Sequence, residues 1–140
     1  MDRHLTDTDG VTVCYFFFKD NEQQDNLATA LCALVHQLFS HQHRLIHHAM
    51  PAWEKNGDRI RSEVNELWRI FLAAASDPAV GPVVCILDAL DECGDEDRRR
   101  LITWLCDFYG QASTIRSGGI VRFLVLLGLL YSSSIGYLNV

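Results

Sequence analysis

The chain has 140 residues, of which 49% are hydrophobic and 21% charged, and its formal net charge is −6 at pH 7 with an isoelectric point near 5.4. This length and apolar content predict one domain with a buried core. Because the Lys and Arg residues are scattered and form no basic stripe, we expect no nucleic-acid partner.

The first third of the chain predicts a tail, a strand and a helix. Residues 1–10 are polar and acidic, unlike a signal or transit peptide, and predict a polar tail. A β-branched and aromatic run predicts a strand over 11–18. Leucines at helical spacing predict a helix from an N-cap at Asp25 to about Ser40. The segment over 41–57 lacks a clean period and predicts a partly helical connector.

The rest of the chain alternates helices with strands. Apolar residues at i, i+4, i+7 and i+8 predict a helix over 60–75. A short apolar run over 82–88 predicts a strand buried on both faces. Acidic residues open a helix at Asp95 that we expect to stop at Gly110, and a last strand is predicted over 120–127. This order predicts an α/β fold whose parallel sheet has helices on both faces.

Two features bear on the compartment of the chain. The apolar stretch 123–131 is much shorter than the about 20 residues of a membrane-spanning helix, so we expect no membrane partner. The cysteines form an odd set without a CxxC pair, which predicts small buried thiols in a reducing compartment. We therefore expect a cytoplasmic protein. The cysteines are Cys14, Cys32, Cys85, Cys93 and Cys106.

A cluster of acids follows the strand over 82–88. Asp88 is predicted at the carboxyl end of that strand, where ligands of parallel α/β sheets gather. A carboxylate at the end of an apolar strand needs a cation or hydrogen-bond donors, and Mg²⁺ is the natural candidate. Asp91 and Glu92 follow in the next turn, where one carboxylate can orient or deprotonate an attacking water.

Other acidic motifs fit the spacing less well. A calcium loop starting at Asp88 would place Leu90, Cys93 and Arg99 at positions that require an acid or amide, a Gly and a Glu, so this interpretation fails. The aspartyl-phosphate enzymes place two acids two residues apart after a strand, whereas here they are three apart. The acids over 95–97 are interpreted as a solvated helix N-terminus that needs no ligand.

The acidic cluster also carries a family resemblance. The segment from Val83 to Cys93 resembles the Walker B motif of NACHT domains, in particular the nephrocystin-like N-terminal P-loop NTPase domains of fungal NOD-like receptors, which are STAND-type proteins. In that family an apolar strand ends in Asp, a small residue, an apolar residue and Asp-Glu. The runs over 13–19 and 30–38 are similar to the strand and helix that follow the phosphate loop.

The resemblance implies a nucleotide-dependent signalling switch of fungal innate immunity or cell death. It implies a partial NACHT domain over 11–127, an irregular tail over 128–140, and ATP or GTP with Mg²⁺ as cofactors of the intact protein. Asp88 would be the magnesium ligand, and Asp91 or Glu92 the catalytic, water-positioning acid, with the choice between the two open. Homo-oligomers formed through NACHT domains are implied as partners.

Two parts of the family pattern are missing from the sequence. The phosphate loop G-x-x-x-x-G-K-[ST] should precede the first strand, but residues 1–10 contain only Gly10 and no Lys. The last strand should end in a Thr-Ser-Arg-Pro-like turn, but 123–131 has no Arg there. We therefore expect a fragment that is inactive alone, whose missing phosphate-loop strand leaves the backbone of the 120–127 strand unpaired. The alternative is a non-enzymatic fragment that pairs with full-length relatives through this open edge and its amphipathic helices.

A second group of residues invites a metal hypothesis. His43 and His47 lie four residues apart and are joined by His41 and His48. Because no Cys or acid accompanies them at ligand spacing along the chain, we interpret them as a polar face.

Overall fold

The computed structural model describes residues 10–112, 121–126 and 137–139. Three parallel strands form the sheet in chain order, and a short fourth strand joins its far edge in the antiparallel direction. They are β1 (Thr12–Phe17), β2 (Val83–Asp88), β3 (Val121–Leu126) and β4 (Tyr137–Asn139). Helices flank the sheet, so the predicted α/β class and parallel sheet are confirmed.

Three α-helices lie close to the ranges that periodicity predicts, and the predicted partly helical connector over 41–57 contains a short α-helix and a 3₁₀ helix. The α-helices are α1 (Leu27–His41), α2 (Met50–Asn56), α3 (Val64–Ala75) and α4 (Asp95–Ala112). The 3₁₀ helices cover His43–His48, Gly57–Ser62 and Leu90–Glu92. No helix in the described part of the chain is long and apolar enough to cross a membrane.

Three predicted helix boundaries are wrong. Helix α3 begins at Val64 and not at Ile60, because Glu63 has a non-helical backbone and Ile60 lies in the preceding 3₁₀ helix. The N-cap of α1 is Asn26 and not Asp25, because the Asn26 side chain accepts a hydrogen bond from the Thr29 amide at 2.8 Å. Helix α4 continues through Gly110 to Ala112. A glycine inside a helix costs only about 1 kcal/mol relative to alanine, which packing of the preceding turn can outweigh.

Burial alternates along all three parallel strands. One face of the sheet is fully buried, and the other is half-buried apart from the exposed Arg122. Phe123 of β3 lies at the centre of the buried face, 1% exposed. Its ring contacts Trp68 and Phe71 of α3 and Phe108 and Tyr109 of α4, at centroid distances of 5.5 to 6.5 Å. This aromatic cluster fixes two helices to the sheet.

The edges of the sheet are better covered than we predicted. The backbone of β3 pairs with β2 and, over Leu124–Leu126, with β4, while the Phe123 amide donates to the Tyr109 hydroxyl at 2.9 Å. The expectation of an unpaired β3 is therefore wrong. Part of the segment over 128–140, predicted as irregular, forms β4, because unpaired backbone groups at a strand edge readily accept a further strand.

At the other edge of the sheet, a side chain forms hydrogen bonds with the backbone of β1. The side-chain amide of Gln37 on α1 accepts from the Tyr15 amide and donates to the Tyr15 carbonyl, both at 2.8 Å. These two bonds imitate the pairing of a neighbouring strand, so a side chain satisfies the exposed backbone of β1 at its midpoint.

All five cysteines are free. Cys14, Cys85 and Cys93 are buried as predicted, and burial raises the pKa of the Cys14 thiol to about 12. Cys106 is exposed and Cys32 is half-buried, so the prediction of buried thiols is wrong for these two. Helical position decides this outcome, because Cys106 directly follows the buried Leu105 and so points away from the core.

Candidate functional site

Asp88 is the last residue of β2, as the sequence predicts. The five residues before it are apolar and lie between β1 and β3, which places the carboxylate at the carboxyl end of the central parallel strand. Phe17 is its register partner on β1. The Asp88 side chain projects on the half-buried face of the sheet, where solvent can reach it.

Tyr15 is the protein partner of Asp88. Its hydroxyl donates to Oδ2 of Asp88 at 2.9 Å. Tyr15 precedes Phe17 by two residues, so it lies on the same face of the sheet and meets Asp88 diagonally. Burial raises the pKa of Tyr15, and the hydrogen bond to Asp88 and the negative charge of Asp88 raise it further. The phenol therefore remains a donor, and it orients one carboxylate oxygen of Asp88.

The turn after Asp88 has an unusual backbone. Ala89 adopts the left-handed conformation, with φ 57° and ψ 44°, although it carries a Cβ. This conformation costs an L-residue about 1–2 kcal/mol. The Glu92 amide donates to the Ala89 carbonyl at 2.9 Å, and the Phe18 amide donates to the Asp88 carbonyl at 3.0 Å. The surrounding bonds thus hold the strained residue directly beside the acidic cluster.

Asp91 and Glu92 lie in the 3₁₀ helix Leu90–Glu92, and both are exposed. Oε1 of Glu92 accepts from the Asp20 amide at 3.0 Å, which joins the loop after β2 to the loop after β1. In the described ranges, the side chain of Asp91 has no hydrogen-bond partner. Asp88 thus ends β2, and Asp91 and Glu92 follow it, but their carboxylates do not form a three-ligand group in the part of the chain that the structure describes.

Helix α4 supports the structure at the carboxyl ends of the strands. Oδ2 of Asp97 accepts from the Leu27 amide at 2.9 Å, in the first turn of α1, and the Gly94 amide donates to the Asp25 carbonyl at 2.9 Å. The interpretation of Asp97 as a merely solvated acid is therefore wrong. Asp95 fits that interpretation better, because its side chain is 77% exposed and, among the described residues, pairs only with Arg98 of the next turn.

Sequence reasoning missed Tyr15 and Asp97 as parts of this edge. Tyr15 lies within a run of aromatic residues that predicts a strand, and only the register with β2 reveals which of them faces Asp88. Asp97 stands among acids that suit a helix N-terminus on electrostatic grounds alone. Neither residue carries a local signal of its contact.

One known family matches the part of the chain that contains the acidic cluster. The family model described as Nephrocystin 3, N-terminal matches residues 1–126, which include β1, β2, β3 and the acidic turn. The chain belongs to this family. No curated protein and no solved structure matches the chain. Membership in the nephrocystin 3 N-terminal family agrees with the resemblance to a NACHT-like N-terminal fragment.

The residues of this family member fit an ion better than a whole nucleotide. Asp88 offers a half-buried carboxylate with one oxygen held by Tyr15, which suits Mg²⁺ bound through one carboxylate and several waters. The 140 residues contain no G-x-x-x-x-G-K-[ST] sequence that would supply backbone donors and a Lys to phosphates. The sequence therefore combines a carboxylate at the end of the central strand with no phosphate-binding loop of the usual form.

Proposed function

We propose that the chain supplies the Mg²⁺-binding edge of a NACHT-type nucleotide switch. The observation that carries this proposal is the placement of Asp88 at the carboxyl end of the central parallel strand, oriented by the Tyr15 hydroxyl at 2.9 Å. Family membership over residues 1–126 supports it independently. The nucleotide is ATP or GTP, and the phosphate-binding loop comes from a segment outside this sequence.

The contacts of the three acids support a different role for each. Asp88 holds Mg²⁺, directly or through water. Glu92 is the water-positioning acid, since Oε1 is fixed by the Asp20 amide at 3.0 Å while Oε2 can accept from a water. Asp91 is exposed, and the described residues offer its side chain no hydrogen bond that would hold it in place. The switch serves fungal innate immunity or self/non-self cell death, and it assembles through homo-oligomers in the cytoplasm.

Ion binding can be tested without any nucleotide. Mn²⁺ substitutes for Mg²⁺ and broadens NMR signals of nearby amides, so titration of the chain should broaden the amides of Asp88, Asp91 and Asp20 first. Asp88→Asn should abolish that pattern, because the amide retains the shape but lacks the charge. Asp107→Asn, which removes an exposed acid from α4, is the matched control and should change nothing. Unchanged broadening in Asp88→Asn would remove Asp88 from the site.

Turnover supplies the second test. Catalysis of phosphoryl transfer depends on positioning and on electrostatic stabilisation of the phosphates. The chain alone should therefore not hydrolyse Mg-ATP or Mg-GTP. Phosphate release by the purified chain above that of Asp88→Asn would show that a different set of residues performs the function of the phosphate loop.

The rival hypothesis is a non-enzymatic fragment that pairs with full-length relatives, and the cover of the sheet edges argues only against pairing through an open edge. Gln37 covers the midpoint of β1, and β4 with Tyr109 covers β3, so the sheet offers no long unpaired edge among the described residues.

A further inference from the structure

Three metal-ligating side chains meet outside the cluster of Asp88, Asp91 and Glu92. His47 and His48 end the 3₁₀ helix His43–His48, and Asp77 lies in the turn between α3 and β2. One ligand atom from each lies within 4.8 Å of the others, and no other group of three His, Cys, Asp or Glu does so over residues 10–112 and 121–126. The acid that the histidines lack along the sequence is thus supplied by the fold.

The local backbone directs Asp77 at the two histidines. Oδ1 of Asp77 accepts from the Ala79 amide at 2.9 Å, which fixes the carboxylate in the turn. Oδ2 then lies 2.8 Å from Nε2 of His48 and 3.8 Å from Nε2 of His47. The two imidazole rings are neighbours, with centroids 4.1 Å apart. The second carboxylate oxygen therefore faces both rings.

The spacing suits a small tetrahedral ion. Zinc bonds to N and O are about 2.0–2.1 Å long, so two ligands of a tetrahedral ion lie about 3.3 Å apart. The observed separations of 2.8 and 3.8 Å from Asp77 lie on either side of this value, about 0.5 Å from it. The side chains of His48 and Asp77 are 20% and 18% exposed and hence partly fixed, whereas that of His47 is 66% exposed and can swing in.

We propose that His47, His48 and Asp77 bind one Zn²⁺ ion, with water in the fourth position. Imidazole together with carboxylate favours zinc over magnesium, which prefers oxygen ligands alone. The ion would replace the His48–Asp77 hydrogen bond by two metal bonds and add His47 as third ligand. It would join the 43–48 segment to the turn before β2, where Gln42 already donates to the Ala79 carbonyl at 3.1 Å.

Calorimetric titration of the full chain with ZnCl₂ tests the site. We expect one ion per chain. Asp77→Asn should weaken binding by about 10-fold or more, because loss of a residue that merely supports a metal ligand already lowers metal affinity by about that factor. Asn keeps the oxygen that accepts from Ala79, so the turn is retained. His43→Asn is the matched control, because His43 is exposed on the same 3₁₀ helix outside the trio, and its Kd should equal that of the unmodified chain.

Two further measurements keep the result interpretable. His47→Asn alters the most exposed ligand and so preserves the fold, and it should also weaken binding by about 10-fold. Co²⁺ in place of Zn²⁺ should give the intense visible absorption of tetrahedral cobalt, and this absorption should disappear in Asp77→Asn. Absence of saturable one-to-one binding, or equal Kd values for Asp77→Asn and His43→Asn, would overturn the proposal.

Discussion

Replacing Asp97 by alanine should destabilise the chain far more than replacing its neighbour Glu96. Both acids lie in the first turn of α4, and each favours the helix dipole by about 0.3–1 kcal/mol. Only Asp97 also accepts from the Leu27 amide at 2.9 Å. A hydrogen bond to a charged group contributes about 1.5–3 kcal/mol, and the half-buried Asp97 belongs near the lower end of that range.

The expected costs follow from these terms. Glu96→Ala should lower the free energy of unfolding by about 0.5 kcal/mol, and Asp97→Ala by about 2 kcal/mol. Urea denaturation followed by circular dichroism measures both values, and the slope with urea should be the same for the two variants. If the two free energies of unfolding agree within about 0.5 kcal/mol, the Leu27 contact contributes nothing and the bracing of α1 by α4 is refuted.

Three further predictions concern other parts of the chain. Phe123→Ala should cost about 3–5 kcal/mol, against about 1 kcal/mol for Ile102→Ala, whose side chain is 36% exposed, in the same urea assay. Iodoacetamide at pH 8, followed by mass spectrometry, should label Cys106 first, and equally fast labelling of the buried thiols would contradict the packing. Asp88→Asn should lower the pKa of Tyr15 in an ultraviolet titration but leave it above the ordinary value, since burial is the larger cause. Because folding raises this pKa, the contribution of the Tyr15 hydroxyl to the stability of the folded chain is complete below the pKa of the unfolded chain. This contribution is lost as the pH rises through the pKa of the folded chain.

Local patterns predicted the elements and the location of Asp88. The apolar run before Asp88 is too short for a typical helix and ends in acids, so its strand character and its carboxyl end are both readable from the sequence. The helical spacing of apolar residues likewise indicates α3, whose inward face holds Leu67, Ile70 and Phe71. In each case the information lies within one segment.

The contacts that define the sites are not local. Tyr15 and Asp88 are 73 residues apart, Leu27 and Asp97 are 70 apart, and His48 and Asp77 are 29 apart. Such pairs depend on strand register and on how a turn is placed after a helix, and a single sequence fixes neither through its periodicity. The histidines illustrate this limit. No acid lies near them in the sequence at ligand spacing, but the fold brings Asp77 to His48.

The pairing of β2 with β3 sets a condition on the proposed nucleotide site. Val83–Leu87 of β2 pair directly with Val121–Val125 of β3, whereas β4 pairs with only three residues of β3. Neighbouring strands lie about 4.8 Å apart, so a phosphate-binding strand in the place of β4 would be two spacings, about 10 Å, from the strand that carries Asp88. The Asp side chain, a hydrogen bond of about 2.7 Å to water and two Mg²⁺ bonds of about 2.1 Å together span roughly the same distance. Nucleotide binding at Asp88 through a water is therefore compatible with the direct pairing of β2 with β3. It requires the phosphate-binding strand to pair with β3, in the place that β4 occupies.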